Sequence, residues 1–188
     1  MRIEILVEET SMKVLLEGLI PRLCNNEMWK LDENVFIRAF EGKSHLRKEL
    51  PKKAKVYANF HEPVFMLVLH DQDSNDCKEL KSKLLDAISQ TGLQTFKVRI
   101  VCRELECWYL GDLHAVECAR PETKATHYAE KAKFRTPEKL NGKDEIKKWV
   151  QPYGAIEFAQ DIAQHLDIDN NRARSFNHTV SVLRSIMV

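Results

Sequence analysis

The segment from Pro63 to Asp73 constrains the fold more than any other part of the sequence. It reads Pro-Val-Phe-Met-Leu-Val-Leu and then His-Asp-Gln-Asp. A run this apolar requires cover on both faces, as in a parallel sheet. Side chains alternate along a strand, so Asp71 and Asp73 can point to the same side near its end. Two hard oxygen donors at that place suit Mg²⁺ or Mn²⁺.

The order of the other patterns predicts an α/β fold. Four segments have the composition or alternation of strands, over residues 2–7, 34–40, 63–71 and 95–102. Helical patterns separate them, with Ser11 as the cap of the first, Pro51 as the end of a short basic second helix from Ser44, and Ser74-Asn75-Asp76 before the third. This order predicts a Rossmann-like, mainly parallel four-stranded sheet with helices on both faces and right-handed crossovers.

Beyond Cys102 the patterns become helical and more polar. Short helices are expected over 104–109 and 112–119, and two longer ones around 155–166 and 172–187. Between these pairs lies a polar stretch of loop and short helices, broken by Pro121 and Pro137. We therefore predict one domain over residues 1–188, with a core of about 1–112 and a helical extension of about 113–188.

Composition excludes several classes of protein. Lys and Arg number 29 against 28 Asp and Glu, so any phosphate-binding surface must be a local patch. The five cysteines are odd in number and form no Cys-x-x-Cys pair, which argues against a disulfide framework or a zinc site. We find no apolar run of about 18 residues and no signal-peptide pattern, and we predict a cytoplasmic protein without a membrane segment.

Acidic residues follow three of the predicted strands. They are Glu8 and Glu9, Asp71 and Asp73, and Glu104 and Glu106. Parallel strands bring their carboxyl ends to one edge of the sheet, where crowded carboxylates repel one another unless a divalent cation neutralises them. Taken alone, each pair has an alternative role in capping a helix or forming a turn. The coincidence of three pairs favours a joint metal site.

Three segments of the chain resemble the TOPRIM (topoisomerase–primase) domain. They are residues 5–11, 69–73 and 102–112, and Ser175-Phe176-Asn177 before a late helix also fits. The TOPRIM pattern has a Glu after the first strand, usually followed by Gly, and Asp-x-Asp after the third. More closely, the chain resembles small stand-alone TOPRIM-like proteins of prokaryotes, a group that is similar to the nuclease half of OLD-family enzymes and to RloB-like proteins.

This resemblance implies roles for individual residues. Metal ligands would be Glu8, Asp71, Asp73 and Glu106. Catalytic residues would be Glu8, Asp71, Asp73, Glu104 and Lys143, the last because OLD-like nucleases use a Lys beyond the fourth strand. Either Glu104 or Glu106 would add a ligand or orient a second metal. Glu9 stands where the wider superfamily usually has Gly, and its side chain would narrow the approach to the site.

The combined expectation is a metal-dependent nuclease that acts on nucleic acid, with DNA favoured over RNA and the choice between them left open. Carboxylates with Mg²⁺ or Mn²⁺ serve phosphoryl transfer by holding phosphate oxygens and activating water. The resemblance also implies an effector of defence against phage or mobile DNA. Since the chain has no ATP-binding loop, such an effector would act with a separate ABC- or SMC-like ATPase. The oligomeric state stays open, a homodimer included.

Two groups of basic residues could present a nucleic acid to the site. They are Lys43, Arg47, Lys48, Lys52, Lys53 and Lys55, and then Lys131, Lys133, Arg135, Lys139, Lys143, Lys147 and Lys148. For each of these two groups, a solvated charged surface without a ligand is the simpler explanation. His70 is expected on the side of its strand opposite Asp71, in the core or behind the ligands. Tyr109 and Tyr153 are expected to pack or to lie at the surface.

Two other hypotheses compete with the nuclease. The first is a catalytically silent adaptor that binds a partner protein through its C-terminal helices, which Glu9 and the balanced charge favour. The second is a phosphoacceptor receiver domain, which ranks last. Receivers carry paired acids after the first strand and a single Asp after the third, whereas here the third strand carries the pair.

Overall fold

The strands and helices follow the predicted order. The computed structural model describes residues 1–24 and 28–187. Its strands are β1 (Arg2–Val7), β2 (Val35–Ala39), β3 (Val64–Asp71) and β4 (Phe96–Val101). The helices between them are α1 (Thr10–Leu23), α2 (Lys43–Ala58) and α3 (Cys77–Ser89). After β4 come α4 (Glu106–Leu110), α5 (Leu113–Ala119), four short 3₁₀ turns over 121–139, α6 (Gly142–Lys147), α7 (Ala155–Ala163) and α8 (Arg174–Ile186).

The four strands form one parallel sheet in the order β2-β1-β3-β4. This arrangement confirms the predicted α/β class, a parallel four-stranded sheet flanked by helices. From β1 the chain winds outward to β2, then returns past β1 to β3, so the direction of winding reverses between β1 and β3. In open parallel sheets, the crevice beyond the carboxyl ends of two such strands is the usual place for a ligand.

Both faces of the sheet are covered, as the apolar sequence of β3 requires. On one face, Leu67 and Leu69 belong to an apolar cluster that includes side chains of α1, α4, α7 and α8. On the other face, Met66 and Val68 pack with side chains of α2 and α3. The alternation along β3 therefore divides its side chains between two cores.

The C-terminal helices complete the first of these faces. Helix α7 approaches α1 so closely that a Cβ atom at Gly18 would stand 2.5 Å from the Cβ of Ala163. Trp108 of α4 meets Phe176 of α8 edge to face, with ring centroids 5.3 Å apart, and its Nε1 donates to the Ser175 Oγ at 2.9 Å. Side chains beyond residue 112 thus share one apolar cluster with β1 and β3.

The caps of the first and third helices differ in how well the sequence predicts them. Ser11 does not cap α1, because the cap position is Glu9 and Ser11 lies buried in the first turn. Asp76 does cap α3, since its Oδ1 accepts hydrogen bonds from the backbone N–H groups of Lys78 and Glu79, each at 2.9 Å. Helix α3 thus follows Ser74-Asn75-Asp76 as predicted, and the prediction that Ser11 caps α1 is wrong.

The second helix is longer than predicted. Pro51 does not end it, and α2 continues to Ala58. A proline inside a helix removes one backbone hydrogen bond and crowds the preceding turn. Here Leu50, Ala54 and Tyr57 are buried on either side of Pro51, against the sheet. The burial of these side chains outweighs the lost hydrogen bond and carries the helix through the proline.

One expectation concerns membranes. None of the helices within residues 1–24 and 28–187 is long and apolar enough to cross a lipid bilayer.

Candidate metal centre at the carboxyl edge of the sheet

The acidic residues reach one place because the strands that carry them are parallel neighbours. Glu8 follows the last residue of β1, and Asp71 is the last residue of β3, the strand paired with it. Glu106 opens α4, which follows β4 on the other side of β3. Glu8 and Asp71 therefore flank the point between β1 and β3 where the winding reverses, the crevice that favours ligands.

The predicted carboxylates converge in this crevice. The backbone N–H of Asp71 donates to the Glu8 Oε2 at 3.3 Å, so these two residues are in direct contact. A small cavity of about 110 Å³ opens above them. It is lined by Glu8, Glu9, Ser11, Met12, Asp71, Asp73, Glu104, Leu105, Glu106 and Lys143. All of the predicted catalytic and metal-binding residues are in this group.

The environment of the carboxylates disfavours their negative charge. Burial raises the pKa of the Asp71 carboxyl well above its usual range, and the charges of Glu8 and Glu106 add to the shift. Burial also raises the pKa of Glu8, with Asp73 as the next cause. The pKa of Glu106 is raised by burial as well, although a hydrogen bond from Tyr153 acts in the opposite direction. Each shift arises because negative groups crowd a poorly hydrated place.

One buried carboxylate oxygen in this cluster has no hydrogen-bond partner within the described residues. Asp71 Oδ1 is buried, and no group in residues 1–24 and 28–187 donates a hydrogen bond to it. A buried acceptor without a donor costs about 1–3 kcal/mol. A cation, a water molecule or a proton on the carboxyl would remove that cost. The unpaired oxygen and the all-oxygen donor set fit a hard divalent cation.

The side chains of these acids are not arranged as a complete set of metal ligands. Among the described residues, no three acidic, His or Cys side chains are arranged to hold a metal ion. Asp73 contacts Lys43, whose Nζ lies 2.8 Å from its Oδ2. Binding of a cation by this oxygen would replace that contact.

Lysines border the cluster on two sides. Lys43, at the start of α2, pairs with Asp73, and this contact raises the pKa of the Lys43 ammonium. Both side chains are well exposed, so the ion pair contributes no more than about 1 kcal/mol. On the other side, the backbone N–H of Lys143 donates to the Glu104 Oε1 at 2.9 Å. The structure thus places Lys143 beside the predicted acids and adds Lys43 to them.

The backbone at the edge of the site is strained. Asp73 and Arg103 both adopt left-handed conformations, with φ of 52° and 64°. Non-glycine residues in this region are uncommon and concentrate at functional sites. Two hydrogen bonds join these segments: the Asp73 N–H donates to the Arg103 carbonyl at 2.8 Å, and the Arg103 N–H donates to the Gln72 Oε1 at 3.1 Å. This cross-link sets the position of Asp73 beyond the end of β3.

Two tyrosines lie beneath the acids. The Tyr153 ring packs against Phe158 as expected, with centroids 5.8 Å apart, and its hydroxyl also donates to the Glu106 Oε1 at 2.7 Å. Tyr109 is buried and packs edge to face on Phe158, as predicted. Its hydroxyl has no hydrogen-bond partner in the described part of the chain, and its pKa is raised by burial first and then by Tyr153, Glu106 and Asp71. No local sequence pattern marks either hydroxyl as part of the site.

A larger cleft of about 570 Å³ lies elsewhere, between the end of α1, α5 and the loop after α7. Its polar groups serve the fold. Both carboxylate oxygens of Asp112 accept backbone N–H groups, from Ala115 and Asp167. The Arg22 guanidinium donates to the carbonyls of Ala163 and Leu166 at 2.6 and 2.7 Å. Because these groups already have partners, the carboxylate cluster is the better candidate for chemistry despite its smaller size.

Comparison with protein families gives one result. A family model described as a domain of unknown function, DUF4276, matches residues 7–184 and so spans every candidate site residue. Searches of curated proteins and of solved structures found no significant match. The resemblance to TOPRIM-like, OLD-family and RloB-like proteins stays a prediction, because none of these comparisons bears on it.

Proposed function

We propose that this chain, which belongs to the DUF4276 family, is a Mg²⁺- or Mn²⁺-dependent nuclease. The observation that supports this most is the meeting of Glu8 and Asp71 at the reversal point of the sheet, with one buried oxygen of Asp71 left unpaired. Acids from strands far apart in sequence gather here at an electrostatic cost. A divalent cation offsets that cost and gives the arrangement a chemical use.

Glu8, Asp71, Asp73 and Glu106 hold the cation in this proposal. When bound, the cation stabilises the developing charge on phosphate oxygens as a Lewis acid. Glu106 is oriented by the Tyr153 hydroxyl. Glu104 lies at the rim, where its Oε1 accepts the Lys143 N–H, and in this proposal its carboxylate takes a proton from the attacking water. Lys143 lines the same cavity, and in this proposal its ammonium stabilises the leaving oxygen of the phosphodiester.

The cations at the mouth of the cavity suit a phosphate backbone. Lys43 stands on one side, and Arg103 and Lys143 line a shallower cleft that shares Asp73 and Glu104 with the cavity. Release of Lys43 from Asp73 on cation binding frees its ammonium for a phosphate. Contacts of this kind make binding weaker as salt rises. We infer DNA as the nucleic acid, a cytoplasmic role in defence, and a separate ABC- or SMC-like ATPase as partner, all from the resemblance.

The test is a cleavage assay with the full chain on single- and double-stranded DNA and on RNA, with Mn²⁺, Mg²⁺ or a chelator. We expect cleavage only with a cation. Asp71→Asn should reduce it by at least about 100-fold, beyond the 10- to 100-fold typical of an outer-shell partner. Asp86→Asn is the control, because Asp86 is exposed on α3, away from the site. Cleavage that persists in Asp71→Asn or in chelator would contradict the proposal.

One observation favours the second candidate, the silent adaptor. Lys43 already supplies a positive charge to Asp73, so the folded chain offsets part of the repulsion without any metal. If the chain is such an adaptor, the wild-type protein should bind Mn²⁺ no more tightly than the Asp71→Asn variant does. Measuring the affinity of both proteins for Mn²⁺ decides between the two candidates without reference to a substrate.

A further inference from the structure

His70 connects the metal site to helix α2. It is the penultimate residue of β3, and its side chain is completely buried. Its Nδ1 lies 3.3 Å from the Glu8 Oε2 and 2.6 Å from the Asp71 carbonyl oxygen. Its Nε2 lies 3.0 Å from the Nε of Arg47, a residue of α2. The imidazole ring thus lies between the Arg47 guanidinium of α2 and the Glu8 carboxylate of the candidate metal centre.

The partners of the ring assign its proton. A guanidinium can only donate, so the His70 Nε2 accepts the Arg47 Nε–H. The single proton of a neutral imidazole then belongs to Nδ1, which donates it to the Asp71 carbonyl at 2.6 Å and lies 3.3 Å from the Glu8 Oε2. Burial lowers the pKa of His70, in agreement with a neutral ring. Arg47 therefore determines which nitrogen of His70 carries the hydrogen.

Two nitrogens approach the same oxygen of Glu8, and of these the Asp71 N–H forms a hydrogen bond with it. Both the His70 Nδ1 and the Asp71 N–H approach Oε2, each at 3.3 Å. Within residues 1–24 and 28–187, no donor approaches Oε1. Glu8 is thereby held through one oxygen, and the other stays available in the cavity that it lines.

We propose that His70 is a positioning residue, which with Arg47 fixes the end of β3 beside Glu8 so that the second oxygen of Glu8 can bind the cation. This role rests on the proposed function, and it extends the site to two residues outside the carboxylate cluster. Partners that orient a metal ligand in this way typically change metal affinity by about 10- to 100-fold when they are removed. Loss of the His70 imidazole is expected to weaken cation binding by that factor, although His70 contacts neither the cation nor the substrate.

The test compares two replacements of His70 that keep opposite halves of its hydrogen bonding. In His70→Asn, the amide nitrogen stands near the position of Nδ1 and can still donate to the Asp71 carbonyl beside Glu8. In His70→Gln, the amide reaches the position of Nε2 and leaves that carbonyl without its donor. Val68→Ala is the packing control, since Val68 is buried two residues earlier on the same face of β3.

The readout is Mn²⁺ affinity of the full-length protein, measured from the electron paramagnetic resonance signal of free Mn²⁺. We expect His70→Gln to weaken binding by about 10- to 100-fold and His70→Asn to stay within about threefold of the wild type. Circular dichroism of each variant verifies that it is folded. Arg47→Met should weaken Mn²⁺ binding less than His70→Gln does. In that variant the imidazole ring remains, but no guanidinium keeps its proton on Nδ1.

The outcomes separate the inference from the proposed function. Equal Mn²⁺ affinity in the wild type and His70→Gln overturns the role of His70 alone. Equal losses in both His70 variants and in Val68→Ala also overturn it, because they show a general effect of packing. A wild-type chain that binds no Mn²⁺ overturns the proposed function, and the role of His70 with it.

Discussion

At the scale of single residues, Asp71 bears an electrostatic cost that its neighbours do not relieve. Its Oδ1 is buried without a donor, and Glu8 and Glu106 stand near it as like charges. The backbone N–H of Asp71 itself binds Glu8, so the two acids cannot move far apart. A cluster of this kind is less stable at neutral pH than the same fold with a neutral side chain at position 71.

We expect Asp71→Asn to raise the free energy of unfolding of the metal-free protein at neutral pH by about 1 kcal/mol or more, since one pKa unit corresponds to 1.36 kcal/mol. The folded-state pKa of Asp71 lies above its unfolded value. The folded protein therefore binds more protons between those two values, and its stability falls as pH rises through that window. Urea denaturation of both proteins at several pH values measures the difference.

The comparison with Asp71→Asn isolates this carboxyl from other titrating groups. The pKa of His70 is lowered by burial, so its contribution has the opposite sign and is lost as pH falls. It is present in both proteins and cancels to first order. The difference in unfolding free energy between wild type and variant should close as pH falls below about 4, because the carboxyl then becomes protonated even when unfolded. A difference in unfolding free energy that does not change with pH would show that the charge of Asp71 is not what destabilises the wild-type protein.

The candidate site residues were predictable from sequence because each acid lies next to a strand end. Position along a strand is local information, and the parallel order of the sheet does the rest. Lys43 carried a weaker signal of the same kind, since it begins α2 at the edge where β2 ends. The contacts of Tyr153 and His70 carried none. Tyr153 meets Glu106 across 47 positions of sequence, and only packing brings them together.

At the scale of helices and strands, close approach of backbones shapes the molecule. Helix α7 lies against α1 at Gly18, where a side chain has no room. A Cβ atom added at Gly142, at the start of α6, would stand 2.7 Å from the backbone nitrogen of Cys107. The first contact joins the C-terminal helices to the sheet. The second holds the segment that carries Lys143 against α4, which carries Glu106.

We expect Gly18→Ala to destabilise the protein by about 1–3 kcal/mol, because its methyl group would overlap the Cβ of Ala163. Without this contact, the same change inside a helix would stabilise it by up to about 1 kcal/mol. Gly154→Ala is the matched control, since its Cβ would meet nothing closer than 3.4 Å. Thermal unfolding of both variants measures the effect. A Gly18→Ala protein as stable as Gly154→Ala would show that α1 and α7 can separate freely.

At the scale of the whole molecule, the sheet order decides where chemistry can occur. The order β2-β1-β3-β4 places the reversal of winding between β1 and β3. Glu8 and Asp71 flank that crevice, while α2 and α4 bring Lys43 and Glu106 to its two sides. A ligand that binds here contacts segments from both halves of the chain. Its binding should therefore stabilise the fold as a unit.

We expect Mn²⁺ or Mg²⁺ to raise the melting temperature of the wild-type protein and EDTA to reverse the rise. A ligand at 100 times its Kd stabilises the native state by about 2.7 kcal/mol. For a chain of this length that corresponds to a shift of roughly 5–10 °C. Differential scanning fluorimetry with and without cation measures it. Asp71→Asn should lose most of the shift, and an equal shift in that variant would place the cation elsewhere.

Sequence alone determined the order of strands and helices, the parallel sheet and the positions of the acids, because hydrophobic periodicity and strand ends are local properties of the chain. Tertiary structure decided the rest. Packing of Leu50, Ala54 and Tyr57 carried α2 through Pro51. Folding also brought Lys43 to Asp73, and Arg47 and Glu8 to the two nitrogens of His70. These contacts join residues at least 23 positions apart, and their geometry depends on how whole elements pack, which no local pattern encodes.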